Sequence, residues 1–284
     1  MVEDTPDDLV FELHNELLWG PHPYGYSILG TRETVSKLGV KDLRTLHDRA
    51  YHPGHLVIAA AGNVEHERLL DVLAKTGWVD AAPRDATPLV SPAPVVLPPA
   101  SRYVAREGAQ THVVMGTEAV PHGDPCRFPL LLLSMLLGGG MSSRLFQRVR
   151  EELGLAYNVY TYQSFHADSG LHGVYVATAP ESAGAALDAI RDELRRVVEE
   201  GLPSSEIAMG RQQLKGQVTL SLESVSSRMY RAASVELYGE PFRTLDELLV
   251  LIDAITDDDV ARVAREFFDP DQMSVLSLGP QAPE

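Results

Sequence analysis

Arg150 and Tyr157 stand seven positions apart in the stretch LGGGMSSRLFQRVREELGLAYNVYTY, from Leu137 to Tyr162. The spacing predicts a helix over Ser143–Glu152 that ends near Gly154, and a strand that begins near Leu155. A guanidinium on the last helical turn and a phenol at the start of the strand then converge on one spot. Two fixed donors of this kind are what a developing oxyanion on a peptide carbonyl requires. The purely structural alternative pairs Arg150 with Glu151 and packs Tyr157 in the sheet. Gly138, Gly139 and Gly140 allow a close backbone approach ahead of the helix. They lack the following Lys-Ser/Thr of a phosphate loop.

Other chemistries find less support. A catalytic zinc needs three protein ligands and an open position. The ten histidines are His14, His22, His47, His52, His55, His66, His112, His122, His166 and His172. None forms the HxxEH helix motif, which sets two histidines and a glutamate base on one face. His47, His52 and His55 lie closest together, in a helix-to-strand loop where solvated histidines are the default. The acidic clusters Asp4/Asp7/Asp8 and Asp257/Asp258/Asp259 read as helix N-terminal charges. Cys126 at a predicted helix start has no placed histidine base. No GxSxG and no basic-aromatic patch occurs.

The elements that must position Arg150 and Tyr157 fall on the far side of a proline-rich segment. From Ala81 to Ala100 six prolines, Pro83, Pro88, Pro92, Pro94, Pro98 and Pro99, remove backbone donors and favour an extended linker. Three segments follow: residues 1–80, a linker over 81–101, and residues 102–284. In the first, Pro6 and the acids Asp7 and Asp8 open a helix whose apolar face is Leu9, Val10, Leu13, Leu17 and Leu18. Two short helices near Arg32–Leu38 and Lys41–Tyr51 come next. Leu56–Ala61 reads as a buried strand, and Glu65–Lys75 as a helix with Leu69, Leu70, Val72 and Leu73 inward. One strand cannot satisfy its own backbone groups, so its sheet partner must come from elsewhere.

The last segment predicts strands near Arg102–Ala105, Thr111–Glu118, Leu155–Phe165, Leu171–Ala179 and Gln272–Leu278. Helices are expected at Pro125–Leu137, Ser143–Glu152, Glu181–Glu200, Ser205–Leu237 and Asp257–Phe268. A turn at Ala167–Gly170 joins two of the strands. The fold class is α+β, an antiparallel sheet with helices on one face. LGVKDLRTLHDRAYHPGHLVIAAAG and ITDDDVARVAREFFDPDQMSVLSLG share an order of acidic cap, helix, aromatic, proline and apolar strand ending at glycine, an internal repeat.

Composition bounds the partners. Forty acidic against twenty-four basic residues give a formal charge of −16, which argues against nucleic acid and anionic membrane surfaces and favours basic peptides. A single cysteine excludes an intrachain disulfide. The N-terminus has no signal-peptide pattern and no apolar run spans a bilayer, so a cytoplasmic location is expected.

LGGGMSSRLFQRVREELGLAYNVY, with EDTPDDLVFELHNELLWGPHPYGYSILGT, YHPGHLVIAAAGNV, GVYVATAPE, LKGQVTLSLESVSSRM and LDELLVLIDAITDDDVARVARE, resembles the pitrilysin/insulinase-type zinc peptidases. The likeness is greatest to bacterial members related to the mitochondrial processing peptidase. The resemblance implies two related α+β domains, the first N-terminally truncated and the second complete. It implies Zn²⁺ in the complete enzyme or a partner and none on this chain, because the family's HxxEH helix and distal glutamate lie upstream of the EDTPDD-like segment. It gives Arg150 and Tyr157 the roles of holding substrate and stabilising the tetrahedral intermediate. The implied function is the C-terminal portion of a zinc metalloendopeptidase acting on peptides or unfolded polypeptide, inactive alone. The alternative is a natural non-catalytic partner subunit. Either reading implies a homo- or hetero-dimer with a pitrilysin-like subunit.

Overall fold

A computed structural model describes residues 5–51, 53–77 and 94–283. Asp4, His52 and residues 81–93 of the proline-rich segment lie outside the described residues. In chain order the elements are helices α1 (Pro6–Trp19), α2 (Arg32–Lys37), α3 (Val40–Ala50) and α4 (His66–Lys75), then strands β1 (Ser101–Ala105) and β2 (Thr111–Ala119). Helix α5 (Arg127–Gly138), a π-helix (Phe146–Glu152) and strands β3 (Asn158–Phe165) and β4 (Gly170–Thr178) follow. Helices α6 (Ala183–Glu200), α7 (Ser204–Ser221), α8 (Val225–Leu237), α9 (Leu245–Asp253) and α10 (Asp257–Phe267) lead to strand β5 (Ser274–Gly279). The chain forms two compact units. The first comprises Met1–Ser27, Ala93–Gly216 and Thr244–Glu284, and the second Ile28–Pro92 and Gln217–Arg243.

The first unit is α+β. Its five strands run in the order β1-β5-β2-β4-β3, all neighbours antiparallel except β1 with β5, which are parallel. The β3–β4 hairpin turns through Ala167–Ser169, closed by the His166 amide donating to the Ser169 carbonyl at 2.8 Å. Every residue of β4 and β5 is buried, as expected of strands covered on both faces. One face carries Val114, Tyr175, Ala177, Leu276 and Leu278, and α1 lies on it through Val10, Leu9, Phe11, Leu13 and Leu17. Phe11 stacks on Tyr175 at 5.4 Å and meets the edge of Tyr162 at 4.9 Å. Alternate residues point the other way, where the His172 ring lies 4.4 Å from that of Phe268, just past α10.

Two histidines sit in this core. His14 of α1 rests over Gly116, where a Cβ would come within 3.1 Å of its ring and 2.6 Å of the His172 carbonyl. Its Nε2 is 3.2 Å from the Ser274 carbonyl. Neither ring nitrogen of His172 makes a hydrogen bond of full geometry, although the Phe267 backbone lies close enough to favour the charged ring slightly. Burial pushes both imidazoles down to about 4.

The second unit contains α2, α3, α4 and α8, and no side chain of these helices is buried. Of the apolar set expected to face inward on α4, Leu69 and Leu73 are half-buried, whereas Leu70 is 47% and Val72 53% exposed. Residues 56–61, expected as a buried strand, form no ladder, and Leu56 and Ile58 are exposed. A strand exists only where a neighbour takes its backbone groups, and no described residue pairs with this one. The long helix expected over Ser205–Leu237 is two helices. Ser224 accepts from the Ser227 amide at 3.3 Å and starts α8 afresh. Helix α9 was not expected, though Thr244 and Glu247 form a capping box at its start.

Two outcomes follow. A buried neutral histidine whose folded pKa lies below its unfolded one takes up protons on unfolding, so stability falls as pH drops from about 6.5 to about 4. The urea midpoint therefore declines through that window. The decline is shallower in His14→Gln and His172→Gln, and a slope equal to the wild type's in both variants overturns the assignment. Leu132, fully buried, costs about 2–5 kcal/mol as Leu132→Ala. Exposed Leu43 costs under ~0.5 kcal/mol as Leu43→Ala. Chemical denaturation followed by circular dichroism distinguishes the two, and a large cost at Leu43 shows a buried face there.

Candidate functional site

The stretch from Gly138 to Tyr157 is held at both ends. At its start, α5 meets β3 so closely that a Cβ on Gly138 would lie 2.4 Å from the Thr161 amide nitrogen, and only glycine fits. Thr161 Oγ1 donates to the Ser134 carbonyl at 2.7 Å across the same junction. The chain then turns. The hydroxyl and amide of Ser143 both donate to the Gly140 carbonyl, at 2.6 and 3.0 Å.

Arg144 ties the next element to the helical layer. Its Nε and Nη2 donate to the two carboxylate oxygens of Glu206 on α7, at 2.7 and 2.6 Å, and its Nη1 to Glu193 on α6 at 2.9 Å. Glu193 is only 4% exposed and also accepts from Arg196 at 2.9 Å. A two-pronged arginine–carboxylate pair fixes orientation as well as distance. The hydrogen bonds that Arg144 donates to Glu206 hold its pKa above its already high ordinary value. Sequence reasoning passed over Arg144. Its carboxylates are 49 and 62 positions away, and nothing local marks the pair.

The helix expected over Ser143–Glu152 is in its second part a π-helix. The Leu153 amide donates to the Arg148 carbonyl, five residues back, at 3.2 Å. This wide turn recurs at functional sites. Leu145 and Val149 are fully buried and anchor it. Gly154, at φ +63°, then reverses the chain in a conformation that favours glycine. The Leu155 amide returns to the Val149 carbonyl at 2.9 Å, and the Tyr157 amide reaches the Ala177 carbonyl of β4 at 3.1 Å. Tyr157 is thus pinned by its backbone one residue before β3, while the residue stays 74% exposed.

These constraints bring the two expected residues together. Arg150 Cζ lies 5.4 Å from the centre of the Tyr157 ring and 4.7 Å from that of Phe146. Its Nε is 3.8 Å from Glu151 Oε1, too far for a hydrogen bond. Tyr157 does not pack in the sheet. Tyr157 stands at the surface, and the half-buried Arg150 side chain forms a long ion pair with Glu151 that leaves its N–H groups without a hydrogen bond to that carboxylate.

Among the described residues no three His, Cys, Asp or Glu side chains come together in a way that could hold a metal ion. His47 stacks on Tyr51 at 5.4 Å, and His14 and His172 are enclosed in the core. The described residues do not fit a zinc site. Burial and the neighbouring Asp124 push the Cys126 thiol up, which keeps it protonated. No helix among the described residues is long and apolar enough to cross a membrane.

Residues 37–214 match the family model described as the peptidase M16 inactive domain. The chain belongs to this family. An uncharacterized zinc protease of Streptomyces coelicolor is 38% identical over 94% of this chain and 59% of its own length. The uncharacterized zinc protease YmxG of Bacillus subtilis is 35% identical over 97% and 66%. The M16 chain thus spans about three fifths to two thirds of these relatives. A peptidase M16 inactive domain from Pseudomonas fluorescens superposes with a TM-score of 0.89 at 22% identity, over 99% of this chain and 68% of that one. That likeness shows the fold.

In the M16 chain, Arg144 anchors this stretch to α6 and α7. Arg144→Ala leaves Glu206 without its two-pronged partner and Glu193 with Arg196 alone, at a cost of ~2 kcal/mol, because the site is partly open to solvent. Arg144→Lys recovers less than half of that, since an ammonium cannot bridge both carboxylates in the same geometry. Full recovery by lysine in a urea titration contradicts the geometric role.

Proposed function

We propose that this chain supplies the substrate-gripping side of a zinc metalloendopeptidase site, with Arg150 and Tyr157 as paired donors to the carbonyl oxygen of an extended peptide. The observation that carries the reading is the exposed Tyr157 ring beside the Arg150 guanidinium at 5.4 Å. A phenol hydroxyl and a guanidinium held beside one another match the charge that builds on a carbonyl oxygen as it becomes tetrahedral. Support comes also from relatives that are named zinc proteases. The described residues do not fit zinc, so the metal is assigned to another part of the enzyme, on the same polypeptide or on a pitrilysin-like partner subunit. Zinc, when bound there, supplies an activated water and polarises the carbonyl.

The roles of this chain's own side chains are then simple. Arg150 binds and orients the peptide backbone. Tyr157 donates its hydroxyl proton in a hydrogen bond that strengthens as the oxygen gains charge. The formal charge of −16 favours basic segments of unfolded polypeptide over acidic ones.

The test uses the zinc-loaded enzyme that contains this chain, with casein as substrate. Arg150→Ala and Tyr157→Phe each lower kcat by about 10²–10³, the usual effect of removing one oxyanion donor, and leave the zinc content unchanged. Unchanged turnover in both variants removes the pair from the site. Activity that appears only when a separate zinc-bearing subunit is added identifies the chain as the partner-subunit form of the same reading.

A further inference from the structure

We infer that Phe146 is the positioning residue for Arg150, holding the guanidinium by its ring so that the donors stay open to substrate. This rests on the proposed role of Arg150. Phe146 and Arg150 are four residues apart on the π-helix, whose wide turn sets one side chain nearly above the other. The Arg150 guanidinium carbon lies nearer the Phe146 ring, at 4.7 Å, than the Tyr157 ring, at 5.4 Å. Both distances fall within the range in which a cation is drawn to an aromatic face. The adjacent Glu151 stands at 3.8 Å and takes no hydrogen bond from it.

The choice of an aromatic partner has a chemical consequence. A carboxylate that held Arg150 would occupy its N–H groups and neutralise its charge toward a substrate. A ring face attracts the cation through its π cloud and leaves the N–H edge unoccupied. The contrast with Arg144 lies in the same stretch of chain. There three donors are committed to Glu193 and Glu206, and the residue is purely an anchor. Tyr157, whose ring is the guanidinium's other aromatic neighbour, is 74% exposed. Phe146 sits on the element that Leu145 and Val149 fix in the core, and so it sets where the guanidinium waits.

The experiment measures binding of fluorescein-labelled casein to the full chain by anisotropy. Phe146→Leu weakens binding about two- to five-fold, the equivalent of one exposed cation–π contact. Phe146→Trp keeps wild-type affinity, and Phe146→Leu has no further effect in an Arg150→Ala background, because it acts through the arginine. Loss of affinity in Phe146→Leu that persists undiminished in the Arg150→Ala background overturns the inference and makes Phe146 a direct contact or a folding residue. If Arg150→Ala weakens binding and Phe146→Leu does not, the inference fails while the proposed function stands. If neither Arg150→Ala nor Tyr157→Phe weakens binding, the proposed function fails. The positioning claim is then decided by the Arg150 Nε–H NMR signal, which gains motion in Phe146→Leu if the ring holds it and stays unchanged if it does not.

Discussion

Strands β4 and β5 are buried along their whole length, so neither face of the middle of this sheet is wetted and every backbone polar group in it must find another strand. That constraint organises the first unit. It places β5 between β1 and β2 although β5 is the last strand in the chain. It requires cover on the second face, which α1 provides from the other end of the sequence. It also explains why polar side chains in the core are fitted into gaps. Gly116 and Gly173 are register partners on adjacent strands, and the space their missing side chains leave admits the His14 ring and the Tyr162 hydroxyl.

The same constraint shows what the internal repeat does. Helix α10 leads through a short 3-10 turn at Pro270–Gln272 into β5. Helix α3 leads through the same kind of turn at Pro53–His55 into residues 56–61. The local sequence rules give the same order twice: a capped helix, a proline turn and an apolar run. The two copies then part. β5 has neighbours on both sides, while residues 56–61 have none among the described residues. Helix positions, the β3–β4 hairpin and the α+β class were legible because they depend on periodicity and turn chemistry within a few residues. Whether an extended run becomes a strand depends on what lies across from it, and a local pattern holds no record of that. The split between α7 and α8 was missed for a smaller reason. Apolar periodicity continues across Leu222–Ser224, and the break lies in a serine cap that reads as an ordinary surface residue.

At the candidate site the pairing of Arg150 with Tyr157 was legible because a helix, a glycine turn and a strand in direct succession leave few places for two side chains to go. The means of holding them was not. The π-helix differs from an α-helix by one residue per hydrogen-bonded ring, a difference that propensity and periodicity do not register. The Arg144 clamp depends on carboxylates two helices away, and Phe146 reads from the sequence as one more apolar residue on an amphipathic face.

Arginines 144 and 150 show how one residue type serves opposite ends in the M16 chain. Arg144 spends its donors inside the protein, with a forked contact to Glu206 and a third bond to buried Glu193, and gains rigidity at the expense of any ligand. Arg150 has two aromatic rings near it and no carboxylate within hydrogen-bonding distance. A group that must meet a developing charge works best when it is already in place and its donors are uncommitted, since reorganising or freeing them during the reaction raises the barrier. Neither a fully paired arginine nor a freely rotating one meets both conditions. A guanidinium resting on a ring, on an element fastened by a neighbouring guanidinium, meets both. On the proposed role of Arg150, the rigid, charge-paired start of this stretch is what keeps the guanidinium in place at its end.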